Sequence, residues 1–138
     1  YSFRNLPEDY AALILIGGMQ WNTPVAESLV PIVTKALQQG KIVGAICNAA
    51  SFMAAHGFLN HVKHTGNTKE QLKLWGKENY TNENGYIEKQ CVYDKNIVTA
   101  NGTGYMEFCR DILLLLQADT DENIMNSYKF HKYGLYNE

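Results

Sequence analysis

Short apolar runs alternate with amphipathic stretches along most of this 138-residue chain. The runs at residues 11–16 and 41–46 have the length and continuous apolar character of strands buried on both faces of a parallel sheet. Between them, Thr23 followed by Pro24 is a typical helix start, and Gly40 is expected to end that helix. The first part of the chain therefore predicts a strand, a helix and a second strand.

The same alternation continues to the C-terminal part of the chain. Thr68 and Gln71 have the spacing of a capping box, which predicts the start of a further helix that ends near Gly76. The other predicted elements are a small-residue helix at residues 49–55, a short strand at 62–66, a hairpin of 86–93 with 96–100, a long helix after Gly104 and an amphipathic segment at 121–131. Strands that alternate with helices indicate an α/β fold in which helices cover both faces of a mostly parallel sheet.

A chain of this length suits a single domain, residues 1–138. The sequence begins at Tyr1 and almost at once enters a strand of the central type, which needs neighbours on both sides. We therefore expect that an N-terminal strand and helix of the domain are missing from this sequence.

Composition narrows the possible functions. Apolar residues make up 46% of the chain, and 12 basic and 14 acidic residues are scattered along it, so nucleic acid and membrane are not expected partners. Three cysteines without metal-ligand spacing fit a reducing compartment, and we expect a cytoplasmic protein. No fingerprint for a cofactor or metal is present, because Gly102-Thr103-Gly104 lacks the remainder of a dinucleotide-binding motif.

Cys47 is the one candidate reactive residue. It stands between a predicted strand and a predicted helix, with small residues on both sides, in the manner of a nucleophile elbow. The N-terminus of the following helix would favour thiolate over thiol. The alternative is a small buried hydrophobic residue, the usual state of free cysteine. Cys91 and Cys109, which precede no helix, are expected to be packing residues.

Four segments together resemble the ThiJ/PfpI superfamily. They are Leu15-Ile16-Gly17-Gly18, Ala45-Ile46-Cys47-Asn48-Ala49, Ala55-His56-Gly57-Phe58-Leu59 and the stretch from Val98 to Phe108 that contains Gly102. The resemblance implies a flavodoxin-like three-layer sandwich related to class I glutamine amidotransferases. It also implies a homodimer and activities that include amide or peptide hydrolysis, glyoxalase chemistry and oxidative-stress roles.

The resemblance also implies roles for individual residues. Backbone N–H groups of the Gly17-Gly18 loop and of Asn48 would hold an oxyanion, and Gly102 would lie beside them. Many members have a histidine directly after the cysteine, where this chain has Asn48, or after the next strand, where it has Asn67. His64, three residues earlier, could replace it only if the strand is offset or its side chain turns toward Cys47. A glutamate that members place near the cysteine comes from a stretch outside this sequence.

Three functions remain open at this point. The first is a cysteine-dependent hydrolase, amidase-like, protease-like or glyoxalase-like, that acts on a small molecule or peptide through Cys47 and His64. The second is a stress sensor or chaperone-like protein in which Cys47 is oxidised reversibly. The third is an inactive scaffold that uses the same sheet for binding.

Overall fold

The computed structural model describes residues 5–136. Its strands and helices follow one another largely in the order that the apolar pattern predicts, and the last two elements are helices. In chain order they are β1 (Ala12–Leu15), α1 (Pro24–Glu27), α2 (Val30–Gln38), β2 (Ile42–Ile46), α3 (Asn48–Ala55), α4 (Lys69–Gly76), β3 (Cys91–Asp94), β4 (Ile97–Ala100), α5 (Tyr105–Leu116) and α6 (Asp121–Tyr133).

The four strands form one mixed sheet in the order β1-β2-β4-β3. The pairs β1–β2 and β2–β4 are parallel, and β3 pairs with β4 as the antiparallel edge. The register aligns Leu15 with Ala45 and Ile46 with Ala100, so the three parallel strands end at the same edge of the sheet. The loops that follow them are thereby brought together, as expected for sites in α/β folds.

Helices cover both faces of this sheet, which makes three layers. Val43 and Ala45 of β2 are fully buried in a core shared with α2 and α3 on one face. On the other face, Val98 and Ala100 of β4 are fully buried in a second core cluster together with Phe108 of α5. The predicted α/β sandwich with a mostly parallel sheet is confirmed. Consecutive residues are buried along β2 and β4, which explains why both faces of the sheet need a helical layer.

Two predicted elements differ from the structure. The helix predicted from Pro24 to Gly40 is broken into α1 and α2, with Pro31 in the first turn of α2. Proline has no backbone N–H and clashes with the carbonyl four residues earlier, so one continuous helix cannot pass through it. The strand predicted at residues 62–66 is also wrong, because this extended segment makes only one bridge, between His64 and Tyr86.

The hairpin is shorter than predicted, and the N-terminal half of its first segment is irregular. Strand β3 begins only at Cys91, whereas residues 87–90 form no strand. The start of α4 agrees with the capping box: the Thr68 hydroxyl oxygen accepts a hydrogen bond of 3.0 Å from the Gln71 backbone N–H. This cap fixes where α4 begins, and with it the position of Gln71 one turn into the helix.

Candidate functional site

Cys47 lies in a strained turn between β2 and α3. Its backbone has φ 60° and ψ −130°, a conformation that non-glycine residues rarely adopt. Two backbone hydrogen bonds of 3.0 Å hold the turn, one from the Cys47 N–H to the Ala100 carbonyl and one from the Ala50 N–H to the Cys47 carbonyl. The turn therefore places the cysteine side chain beyond the end of the sheet, where it is partly exposed to solvent.

Two glycines flank the side chain of Cys47 closely. A Cβ atom on Gly17 would lie 2.8 Å from the Cys47 Cβ, a distance that no pair of such carbons tolerates. A Cβ atom on Gly102 would lie 3.3 Å from the Cys47 sulfur. The loops after β1 and β4 can approach the sulfur this closely only because glycine occupies both positions.

Asn67 is the side chain that contacts the sulfur. Its Nδ2 donates a hydrogen bond to the Cys47 Sγ over 3.4 Å and another to the Asn48 Oδ1 over 3.2 Å. Its Oδ1 accepts a hydrogen bond of 2.9 Å from the Gly102 backbone N–H. Because a backbone N–H can only donate, this last bond fixes the direction of the amide and leaves the NH₂ group facing the sulfur.

Asn48 extends the same network to the glycine loop. Its Oδ1 also accepts a hydrogen bond of 2.9 Å from the Gln71 side chain, and its Nδ2 donates to the Gly18 carbonyl over 3.0 Å. A carbonyl can only accept, so the orientation of the Asn48 amide is fixed as well. The side-chain amides of Asn67, Asn48 and Gln71 form one hydrogen-bonded network. The backbone N–H of Gly102 and the backbone carbonyl of Gly18 fix the orientation of the amides in it.

The backbone N–H groups of Gly18 and Asn48, which lie near Cys47, have no hydrogen-bond acceptor among residues 5–136. The Asn48 N–H belongs to the first residue of α3, where helix geometry leaves the donor without an intrahelical acceptor. These donors are available for an oxygen atom of a bound molecule.

His64 is held away from this network. It is fully buried, its Nδ1 lies 2.8 Å from the Val62 carbonyl and its Nε2 lies 2.7 Å from the Tyr80 hydroxyl. The carbonyl needs a donor, so Nδ1 carries the proton and Nε2 accepts from the tyrosine. Burial lowers the pKa of His64, which keeps the ring neutral. The structure therefore does not bring the predicted histidine to Cys47, because both ring nitrogens are occupied elsewhere.

The other two cysteines have different environments. Cys91 is buried in β3, where burial and the nearby Asp111 carboxylate raise the pKa of its thiol far above the ordinary value. It is the packing residue that the sequence predicted. Cys109 is exposed on α5, so its predicted packing role is wrong. Within residues 5–136, no group of three or more His, Cys, Asp or Glu side chains is placed to hold a metal ion.

Sequence reasoning missed Gln71. Its position in the capping box explained only its backbone N–H, whereas its side chain supports Asn48 from the first turn of α4. A signal was present, since the capping position places the side chain at the helix N-terminus, next to the residues that follow the strands.

No helix of the described part of the chain is long and apolar enough to cross a membrane.

A three-layer arrangement whose parallel strands end beside a strained cysteine, between two glycine loops, defines an α/β protein with a candidate cysteine site. Residues 2–115 match the model of the DJ-1/PfpI family. The chain belongs to this family.

Relatives and solved structures agree with this assignment. The chain is 39% identical over 131 residues to "Uncharacterized protease YdeA" and 32% identical over 120 residues to "Uncharacterized protease YoaZ", both of Bacillus subtilis. These matches cover 94% and 87% of the chain but only 64% and 57% of the relatives. The chain is thus similar to somewhat less than two thirds of each relative's length.

Two crystal structures have a closely similar fold. A thiJ/pfpI family protein of Bacillus anthracis superposes with a TM-score of 0.83 at 34% identity, covering 88% of this chain and 57% of that one. The DJ-1 superfamily protein Atu0886 of Agrobacterium tumefaciens gives 0.80 at 30% identity, covering 90% and 65%. These superpositions agree with the DJ-1-like arrangement of sheet and helices described above.

Proposed function

We propose that this protein is a cysteine-dependent hydrolase that cleaves amide or peptide bonds with Cys47 as the nucleophile. The observation that carries the proposal is the strained turn at Cys47, which presents the sulfur to solvent between two glycine loops and beneath an amide donor. Strained backbone of this kind costs about 1–3 kcal/mol and concentrates at functional sites. The names of the two Bacillus subtilis relatives also point toward peptide bonds.

In this proposal the Cys47 thiolate attacks the carbonyl carbon of the substrate, and a sulfur–carbon bond forms. The carbonyl oxygen takes the negative charge and is held by the free N–H groups of Gly18 and Asn48. Collapse of this intermediate breaks the carbon–nitrogen bond, and the amine leaves with a proton from solvent water. A second water molecule then hydrolyses the thioester and releases the acid and the thiol.

Asn67 supports this chemistry without acting as a base. An amide cannot take a proton from the thiol, but its N–H group can stabilise a thiolate that has already formed. We expect attack on the substrate to depend on the thiolate form of Cys47 without help from a base. Protonation of the leaving amine is then expected to be the slow step of the reaction. Substrates with good leaving groups should therefore react much faster than ordinary peptides.

A second function is favoured by the same neighbourhood. Among the hydrogen bonds of residues 5–136, the Cys47 sulfur accepts only from an amide, and no histidine or carboxylate contacts it. A thiolate held in this way needs no base to react with hydrogen peroxide, which gives a sulfenate and water. A redox sensor is therefore the alternative to the hydrolase.

One experiment separates the two functions. The protein is mixed with p-nitrophenyl acetate, and p-nitrophenol release and acetylated peptides are followed together, in the original chain and in Cys47→Ala and Cys109→Ala. The hydrolase predicts acetyl-Cys47, repeated turnover and loss of both in Cys47→Ala only. Alanine keeps the Cβ, so the strained turn is not relieved in that variant.

The remaining outcomes decide against the hydrolase. Acetylation of Cys47 without turnover, combined with selective oxidation of Cys47 by hydrogen peroxide, would identify a sensor. If Cys47 reacts with neither reagent faster than the exposed Cys109, both functions are refuted.

A further inference from the structure

Two clefts of different polarity adjoin the hydrogen-bond network around Cys47, and they are called here the polar cleft and the apolar cleft. The polar cleft has a volume of ≈ 460 Å³ and is lined by residues 66–70 and 88–90 with Tyr86 and Asn101. The apolar cleft has a volume of ≈ 260 Å³ and is lined by residues 18–21 with Val25, Ala26 and Leu29. Each cleft shares one residue with the network around the sulfur, Asn67 in the first case and Gly18 in the second.

The apolar cleft has preformed walls and exposed apolar side chains. The indole N–H of Trp21 donates to the Ile16 carbonyl over 2.8 Å, and its ring packs on Phe52 with centroids 5.0 Å apart. These contacts fix the orientation of the tryptophan. Met19 and Val25 are 81% and 70% exposed, so a ligand in this cleft would remove apolar surface from water.

The apolar cleft is continuous with the site. The Asn48 Nδ2 that donates to the Gly18 carbonyl also lies 3.8 Å from the Met19 sulfur. Gly18 both carries a backbone N–H without a partner in the described residues and lines this cleft, so a carbonyl bound at that N–H lies next to the cleft. This continuity favours a substituent of the substrate over a separate partner as the occupant.

The polar cleft offers a different environment. Its charged side chains are two lysines and two glutamates, Lys69, Glu70, Glu88 and Lys89, all exposed. Balanced charge does not select a singly charged ligand, whereas the many amide and carbonyl groups suit a neutral, hydrogen-bonding chain. The group on the other side of the reacting carbonyl is therefore expected to be polar.

We propose that the substrate of Cys47 is an amide with an apolar group on one side of its carbonyl, bound in the apolar cleft, and a polar peptide-like chain on the other, bound in the polar cleft. This inference rests on the proposed function and gives that site a substrate class. Val25 is a specificity-determining residue in it, because its exposed side chain lines only the apolar cleft.

The test uses alkylating reagents with different tails. Rates at Cys47 are measured by peptide mass spectrometry with iodoacetamide, with N-hexyl iodoacetamide and with a reagent that carries a serylglycinamide tail, each divided by the rate at the exposed Cys109. We expect each tailed reagent to gain about tenfold over iodoacetamide at Cys47, the gain typical of one filled subsite. Val25→Asp should abolish the hexyl gain and leave the serylglycinamide gain unchanged.

The control for the charge itself is Leu74→Asp, since Leu74 is 71% exposed on α4 and lines neither cleft. It should change none of the ratios. The inference is overturned if neither tail gives a gain at Cys47, or if Val25→Asp removes both gains, while iodoacetamide still reacts selectively and the proposed function stands.

Two further outcomes also overturn the inference. If Val25→Asp makes the protein smaller by sedimentation and leaves the hexyl ratio unchanged, the apolar cleft is covered by a second copy of the chain. If Cys47 reacts with no reagent, the proposed function fails together with its substrate class.

Discussion

Replacing Asn67 by alanine tests the central contact of the site. The change removes the hydrogen bond that the Asn67 side chain donates to the Cys47 sulfur, while the strained turn and both glycine loops stay in place. A hydrogen bond to a charged group contributes about 1.5–3 kcal/mol. The lower end of that range applies here, because the contact is 3.4 Å long and Cys47 is partly exposed, so water can replace part of the bond.

A loss of about 1.5 kcal/mol in the stabilisation of a negatively charged sulfur corresponds to roughly a tenfold change in rate. We therefore expect iodoacetamide to alkylate Cys47 about tenfold more slowly at pH 7 in Asn67→Ala. The assay is quenched alkylation read by peptide mass spectrometry, with Cys109 as the internal reference for an exposed thiol.

Two variants sharpen this test. Asn67→Asp keeps an acceptor for the Gly102 N–H but turns a negative oxygen toward the sulfur, so it should slow the reaction at pH 7 more than alanine does. Asn84→Ala removes an exposed asparagine outside the site and should change nothing. An unchanged rate at Cys47 in Asn67→Ala would refute the reasoning, and so would an equal loss at the reference Cys109, which is not in contact with Asn67.

Four other predictions concern the scaffold. Because burial lowers the pKa of His64 below 6.5, the unfolded chain takes up its proton first as pH falls; the free energy of unfolding should be full above about pH 6.5 and decrease below it, as thermal melts would record. Tyr80→Phe, which removes the hydroxyl bonded to His64, should cost about 1 kcal/mol in urea unfolding. Gly44→Ala should cost about 1–3 kcal/mol in the same assay, because the new Cβ would lie 2.9 Å from the Phe108 ring. Glu107→Gln should speed hydrogen exchange in α6, since the Glu107 carboxylate accepts hydrogen bonds from two side chains of that helix.

The layered fold could be predicted because each strand is a short apolar run and each helix has a local start or stop. The break in the helix before Pro31 could also have been predicted, since proline cannot lie inside a continuous helix. The apolar repeat on both sides of Pro31 favoured one continuous helix instead. The absence of a strand at residues 62–66 could not be predicted from the sequence. The apolar and β-branched residues of this segment are buried by packing and by side-chain bonds, such as the one from the Thr65 N–H to the Thr99 hydroxyl, and not by a ladder.

The site was predictable in its position but not in its contacts. Cys47 and Asn48 directly follow β2, whose end is aligned with the ends of β1 and β4, so their proximity to the two glycine loops follows from topology. Asn67 follows a segment outside the sheet, so its position does not follow from the strand order. The direction of each amide depends on the backbone donor at Gly102 and the backbone acceptor at Gly18, which only the folded chain brings together. The isolation of His64 depends on Tyr80, sixteen residues away, for the same reason.

The three cysteines show which feature separates a candidate reactive residue from a packing residue. Cys91 lies in a regular strand and Cys109 in a regular helix, where the backbone has no strain and the side chain direction follows from the element. Cys47 alone among them has positive φ. A residue that only filled space at the end of β2 could do so in an ordinary turn, without that cost. The strained turn persists because it is fixed by hydrogen bonds to Ala100 and Ala50 and by the close glycine loops. The turn holds the sulfur beside the backbone N–H groups of Gly18 and Asn48.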